Sequence, residues 1–199
     1  MLTNHTTGGD GTCDQTVLLT ALRGRELEFV TATLAGDSIM IRHLVFVYGT
    51  LKRNEPNHHW LTNKENGEAR LISKGTTQEK YPLVIGSRFN IPYVLAAPDI
   101  GENIEGEVYE VDNKMLSMLD MLEDHPEYYE RKIKKICLKD SDEVIDCWIY
   151  LLFMYKQQMM ELPFLKTYSS YGDHGKNYAV RESRGDVGRE YWSDVKVMD

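Results

Sequence analysis

Hydrophobic positions follow no clear period through the first 42 residues. That stretch holds many threonines, a Gly8-Gly9-Asp10-Gly11 cluster and no proline. A short helix or strand at 16–21 or 26–33 is compatible with it, but a flexible extension describes it better. Pattern emerges at Leu44-Val45-Phe46-Val47-Tyr48, a β-prone run ending at the turn-forming Gly49. Further strand-like runs lie at 70–76, 83–85, 92–97, 104–111, 133–138 and 145–153. In the last, Ile145, Cys147, Ile149, Leu151 and Phe153 share one face by two-residue alternation. A short helix is expected over 56–61, with Pro56 in its first turn. The clearest helix opens at Asp112, a good cap, and carries Met115, Met118, Leu119 and Leu122 as one apolar stripe. Pro126 bounds it, because the residue before a proline resists helical backbone. From Lys156 onward the chain reads as ordered loop with a frayed end.

Strands that follow one another directly, with few helices between them, do not make a βαβ pattern. They predict an α+β domain with a small mixed, mostly antiparallel, barrel-like sheet and a few short helices. The expected organisation is an extension over 1–42, a domain over 43–185 and a tail over 186–199.

Composition narrows the classes. The 199 residues carry 23 Lys+Arg against 31 Asp+Glu, a net charge of −8. Such a chain is a poor partner for nucleic acid. Its one dense basic run, Arg131, Lys132, Lys134 and Lys135, sits in a strand-like segment and reads as a solvated face. Cys13, Cys137 and Cys147 are odd in number and lack zinc-type spacing, so free or buried thiols in a reducing cytoplasm are expected. No apolar run reaches the ~18 residues of a membrane span. The N-terminus has no basic signal-peptide region, and its five acids speak against a mitochondrial presequence. His58, His59, His125 and His174 are too scattered to form a ligand set. The expectation is a cytoplasmic monomer with no metal, no cofactor, and no membrane or nucleic-acid partner.

Two features suggest chemistry. At about 100° per residue, Glu123 falls between Leu119 and Leu116, inside the apolar arc of its helix, while Asp120 and Asp124 fall outside it. A carboxylate there loses hydration, so its pKa rises and it becomes able to take and give a proton near neutrality. The plainer alternative is a rim residue that reaches solvent or pairs with a lysine. The second feature is Tyr48-Gly49-Thr50-Leu51, directly after a strand. Its turn amides suit an anion or a developing oxyanion; a simple strand-ending turn is the alternative. The Tyr48 hydroxyl either faces a pocket or its ring packs in the core. Asn90-Ile91-Pro92 is a further candidate lining segment, with a cis Ile91–Pro92 bond as the minority option.

Together these segments resemble the γ-glutamyl cyclotransferase-like superfamily, and within it the γ-glutamylamine branch. The similarity lies in Val47-Tyr48-Gly49-Thr50-Leu51-Lys52-Arg53, Pro56-Asn57-His58, Tyr81-Pro82-Leu83-Val84-Ile85, Asn90-Ile91-Pro92 and Glu105-Gly106-Glu107-Val108-Tyr109. It continues in Leu119-Asp120, Tyr129 with Arg131, Ser170-Tyr171-Gly172, His174-Gly175, Tyr178 and Arg181-Glu182-Ser183-Arg184, so it spans about 43–184. The resemblance implies that Glu123, after a Leu-Asp pair and three residues before a proline, is the catalytic glutamate. It implies that Tyr48, Gly49, Thr50 and Leu51 form the substrate loop. The implied reaction cyclises a small-molecule γ-glutamyl substrate to 5-oxoproline with release of an amine, notably the ε-amine of lysine. A cyclotransferase acting on γ-glutamyl α-amino acids or glutathione is the second reading. A non-catalytic binding module of the same fold is the third, and loss of the glutamate or of the loop glycine would be its mark.

Overall fold

The computed structural model describes residues 16–23, 26–35 and 38–198, with side chains from residue 41 onward. Its elements are β1 (Thr16–Arg23), β2 (Glu26–Ala35), β3 (Ser38–Val47), α1 (His59–Thr62), β4 (Ala69–Tyr81), β5 (Leu83–Gly86), β6 (Ile91–Val94), β7 (Glu102–Asp112), α2 (Asn113–Leu122), β8 (Tyr129–Leu138), β9 (Val144–Leu152) and α3 (Trp192–Val195). Strand order in the main sheet is β1-β2-β3-β7-β4-β8-β9. β9 also pairs in parallel with β3, at Val45 opposite Trp148, and this closes β3, β7, β4, β8 and β9 into a five-stranded barrel. The other pairings of the sheet are antiparallel. Closure explains why these short strands bury so much: Val45, Val108, Ile136 and Ile149 are wholly buried. β5 and β6 form a separate hairpin that touches the barrel through a bridge of Leu95 to Leu152.

The expected α+β class and barrel-like sheet are what the chain adopts. All seven expected strand runs are present, with shifted ends. β4 continues past Thr76 to Tyr81 by taking register shifts in its pairing with β7. Those irregularities let the polar Gln78-Glu79-Lys80 stay in the strand although they interrupt its apolar pattern. The helix expected over 56–61 is a single turn, α1, preceded by turns.

Two segments differ from expectation. Within the expected 1–42 extension, β1 pairs along its length with β2, and β2 pairs with the start of β3; residues 1–15 lie outside the described residues. The C-terminal end is not frayed. Tyr191, Trp192 and Val195 are buried, and Tyr155 bridges to Lys196. The Trp192 ring stacks on Tyr128 with centroids 4.6 Å apart. Ring contacts hold this segment, and ring contacts leave no periodic signal.

The basic run on β8 is matched by acids of the same chain. Arg131 meets Asp120 at 2.8 Å, Lys132 meets Glu130 at 3.3 Å, Lys134 meets Glu79 at 3.1 Å and Lys135 meets Asp146 at 3.3 Å. Among the described residues, no helix is long and apolar enough to cross a membrane. The cis peptide bond among them is His125–Pro126, not Ile91–Pro92. Cys137 and Cys147 are free thiols.

Candidate active site

The helix that carries the candidate carboxylate is built as its sequence suggests. The Asp112 carboxylate accepts the Met115 N–H at 2.8 Å, which caps α2. Met115, Leu116, Met118, Leu119 and Leu122 are buried, while Met121 is 70% exposed. α2 ends at Leu122, one residue before Glu123. Glu123 nevertheless keeps its place on the wheel, because its N–H donates to Leu119 O at 3.0 Å. Asp124 then turns into the left-handed region at φ 49°. Asp120, outside the apolar arc as expected, is nevertheless held by partners rather than left in solvent. It accepts the Tyr150 hydroxyl at 2.7 Å and pairs with Arg131, because β8 and β9 pack over that side of α2.

Glu123 points into a narrow cavity of about 60 Å³. Residues 48–51 form another part of its wall, so the two features singled out in the sequence meet at one site. Pro92, Tyr128, Tyr129, Tyr150, Tyr178, Arg181, Arg184 and Tyr191 complete most of the lining. Glu123 is half-buried as a residue, since the cavity reaches it, but protein atoms crowd its carboxyl. Burial pushes that carboxyl up from 4.5 to about 7; Arg181 pulls it down and Asp124 pushes it up.

The loop is anchored from several sides. Lys52 N–H donates to Gly49 O at 3.2 Å, and Asn57 N–H donates to Thr50 O at 2.9 Å. The Asn57 amide donates to Thr50 Oγ1 at 2.9 Å and to the Tyr178 hydroxyl at 2.8 Å, which ties the loop to the C-terminal wall. Arg53 donates its N–H and its Nε–H to the Glu107 carboxylate at 2.9 and 3.0 Å. Among the described residues, no acceptor takes the N–H of Gly49, Thr50 or Leu51. Glycine at 49 is a steric requirement, because a Cβ there would sit 2.9 Å from Pro92 Cγ. The turn can therefore press against Pro92 and leave its amides available.

Tyr48 packs in the core while it also lines the cavity. Its hydroxyl donates to Tyr150 O at 2.9 Å and accepts Val94 N–H at 3.5 Å, and its ring is 7% exposed. Burial, with Glu123 adding to it, pushes the phenol far above its ordinary value. A hydroxyl so committed braces β6 against β9. Tyr128 and Tyr129 are held alike, the first to the Tyr93 hydroxyl at 2.8 Å and the second to Pro92 O at 3.5 Å.

Several lining residues had no role in the sequence reading. Tyr178, Arg181, Arg184 and Tyr191 lie in turns and loops without period. The signals available were the family resemblance of Tyr178 and of 181–184, which assigned them no role, and the density of Arg and Tyr between 178 and 192. Among the described residues, no group of three or more His, Cys, Asp or Glu is placed to hold a metal ion. What the arrangement offers is a proton-exchanging carboxyl, free backbone donors and two guanidinium groups around a small cavity.

Comparison with known proteins agrees with this picture. The pattern of the family described as gamma-glutamyl cyclotransferase, AIG2-like, matches residues 45–170. A Drosophila melanogaster protein named, provisionally, gamma-glutamylcyclotransferase CG2811 is 56% identical over 124 residues, covering 62% of this chain and 78% of its own. The Homo sapiens gamma-glutamylaminecyclotransferase is 39% identical over 151 residues, covering 71% of this chain and 99% of its own. The crystal structure of an AIG2-like protein from Mus musculus superposes with a TM-score of 0.69 at 38% identity, over 72% of this chain and 99% of that one.

Proposed function

Because the chain belongs to the gamma-glutamyl cyclotransferase, AIG2-like, family, we propose that it is a γ-glutamylamine cyclotransferase. Its substrate is γ-glutamyl-ε-lysine, the remnant of a transglutaminase cross-link after proteolysis, and its products are 5-oxoproline and free lysine. The observation that carries this reading is a single cavity with the Glu123 carboxyl on one wall and the uncommitted amides of 49–51 on another.

The reaction is intramolecular. The substrate α-amine forms a C–N bond to its own γ-carbonyl, and the bond from that carbon to the lysine nitrogen breaks. Holding the substrate in a folded-back conformer supplies much of the rate. Glu123 takes a proton from the attacking amine and returns it to the leaving amine, a cycle suited to a carboxyl with pKa near 7. The backbone amides of Gly49, Thr50 and Leu51 face either the substrate carboxylate or the oxyanion of the tetrahedral intermediate. No metal, nucleotide or side-chain nucleophile is needed. The free thiols fit a reducing cytoplasm, and the net charge of −8 does not suit nucleic acid.

A second reading has an observation of its own, since the Drosophila relative's name lacks the amine. In that reading the reaction centre is the same, and the leaving group is an α-amino acid or the remainder of glutathione. A panel of γ-glutamyl-ε-lysine, γ-glutamyl-alanine and glutathione, assayed for 5-oxoproline, separates the two. Preference for γ-glutamyl-ε-lysine is expected; preference for either of the others overturns the assignment.

A further inference from the structure

Two arginines in the cavity wall form no ion pair among the described residues, although the Arg181 charge acts on Glu123. Arg181 donates from Nη2 to Leu122 O at 3.2 Å, but its Nε–H is buried and meets no acceptor among the described residues. Arg184 donates from Nε to Ala179 O at 2.9 Å, but its Nη2 is buried and equally unmatched. The rings of Phe89 and Tyr178 each lie 4.9 Å from the Arg184 guanidinium, and that of Tyr191 lies 5.9 Å away. The other arginines with described side chains, Arg42, Arg53, Arg70, Arg88, Arg131 and Arg189, each pair with a carboxylate. The exceptions are the two that line the cavity. A buried guanidinium N–H without an acceptor is costly, and a planar carboxylate is the anion whose geometry matches it.

The position of Arg181 narrows which carboxylate fits. Its bond to Leu122 O places it beside the backbone that leads into Glu123. In a γ-glutamyl group the α-carboxylate and the attacking α-amine share one carbon. An amine within reach of Glu123 therefore brings the carboxylate toward Arg181. We propose that Arg181 and Arg184 receive the α-carboxylate of the γ-glutamyl substrate, which leaves the amides of 49–51 to the oxyanion. This assignment rests on the cyclotransferase reading above.

The test compares γ-glutamyl-ε-lysine with 4-aminobutyryl-ε-lysine, which lacks the α-carboxylate and would close to 2-pyrrolidinone. The full chain, Arg181→Met, Arg184→Met and Arg181→Lys are assayed on both, and thermal melts establish that each is folded. Wild type is expected to favour the carboxylated substrate. Each Met variant is expected to raise KM for γ-glutamyl-ε-lysine about ten- to a hundredfold and to cost the analogue far less, with Arg181→Met also moving the pH profile on both substrates upward because its charge lowers the Glu123 pKa. Arg181→Lys should recover part of the loss. Calorimetry should show the Met variants losing affinity for 5-oxoproline and not for 2-pyrrolidinone. Equal losses on both substrates would mean that the arginines only brace the end of α2, and undiminished discrimination would mean that they do not meet the carboxylate; either overturns the assignment. A wild type that releases no product from γ-glutamyl-ε-lysine overturns the γ-glutamylamine reading on which this assignment rests.

Discussion

Glu107 on β7 and Glu123 just past α2 are both carboxyls withdrawn from solvent, yet their surroundings drive them in opposite directions. Glu107 is 6% exposed, ion-paired with Arg53 at 3.0 Å, and accepts the Tyr109 hydroxyl at 3.0 Å. Burial alone would raise its pKa, but the Arg53 hydrogen bonds outweigh burial and hold it below the usual range. Glu123 has no ion pair among the described residues, and burial carries its carboxyl to about 7. Burial alone thus does not raise a carboxyl toward neutrality; burial without a committed partner does. Glu107 fixes the loop in place through Arg53, while the Glu123 carboxyl forms no ion pair among the described residues.

The contrast can be broken by substitution, and the largest effect expected is on rate. Glu123→Gln should lower kcat for 5-oxoproline release by about 10²–10⁴-fold with circular dichroism unchanged. Next is stability against pH. The folded pKa of Glu123, about 7, lies above its ordinary 4.5, so between those values the folded state holds a proton that the unfolded state has lost. Wild-type stability should therefore fall as pH rises from about 4.5 to about 7. Glu123→Gln lacks that slope, so the variant should gain roughly 3 kcal/mol on wild type between pH 4 and pH 8, read by urea denaturation.

Glu107→Gln should behave in the opposite way, losing about 2 kcal/mol of stability at neutral pH while Glu123 keeps its chemistry. Its kcat should change far less than that of Glu123→Gln. The smallest effect is expected at Arg189, which pairs with Asp124 at 3.1 Å and Glu127 at 2.6 Å but is 59% exposed. Arg189→Ala should hardly move the melting temperature, and less still in high salt. It should nudge the Glu123 pKa upward by leaving the Asp124 charge less compensated.

Legibility in the sequence followed the range of each interaction. Glu123 stood out because a helical wheel is local, and its N–H still bonds Leu119 even though α2 ends one residue earlier. Gly49 stood out as the end of a strand run, although its contact with Pro92 did not. The strands of the barrel were visible, but its closure was not, because β3 meets β9 across the long separation of Val45 and Trp148. The Tyr48 question turned on a bond to Tyr150 O, equally remote. Arg181, Arg184 and Tyr191 reach the cavity from turns held by an edge-on contact of Tyr191 with Tyr128 and by Arg184 over Tyr191, for which the chain carries no period to read.

The central claim is that Glu123 carries the proton. The direct measurement is the pH dependence of kcat/KM for 5-oxoproline release from γ-glutamyl-ε-lysine by wild type and Glu123→Gln. The account predicts a wild-type rate that climbs as pH passes through about 7, where Glu123 ionises, and a low residual rate in the variant without that limb. A Glu123→Gln enzyme that keeps both the rate and the limb would contradict it.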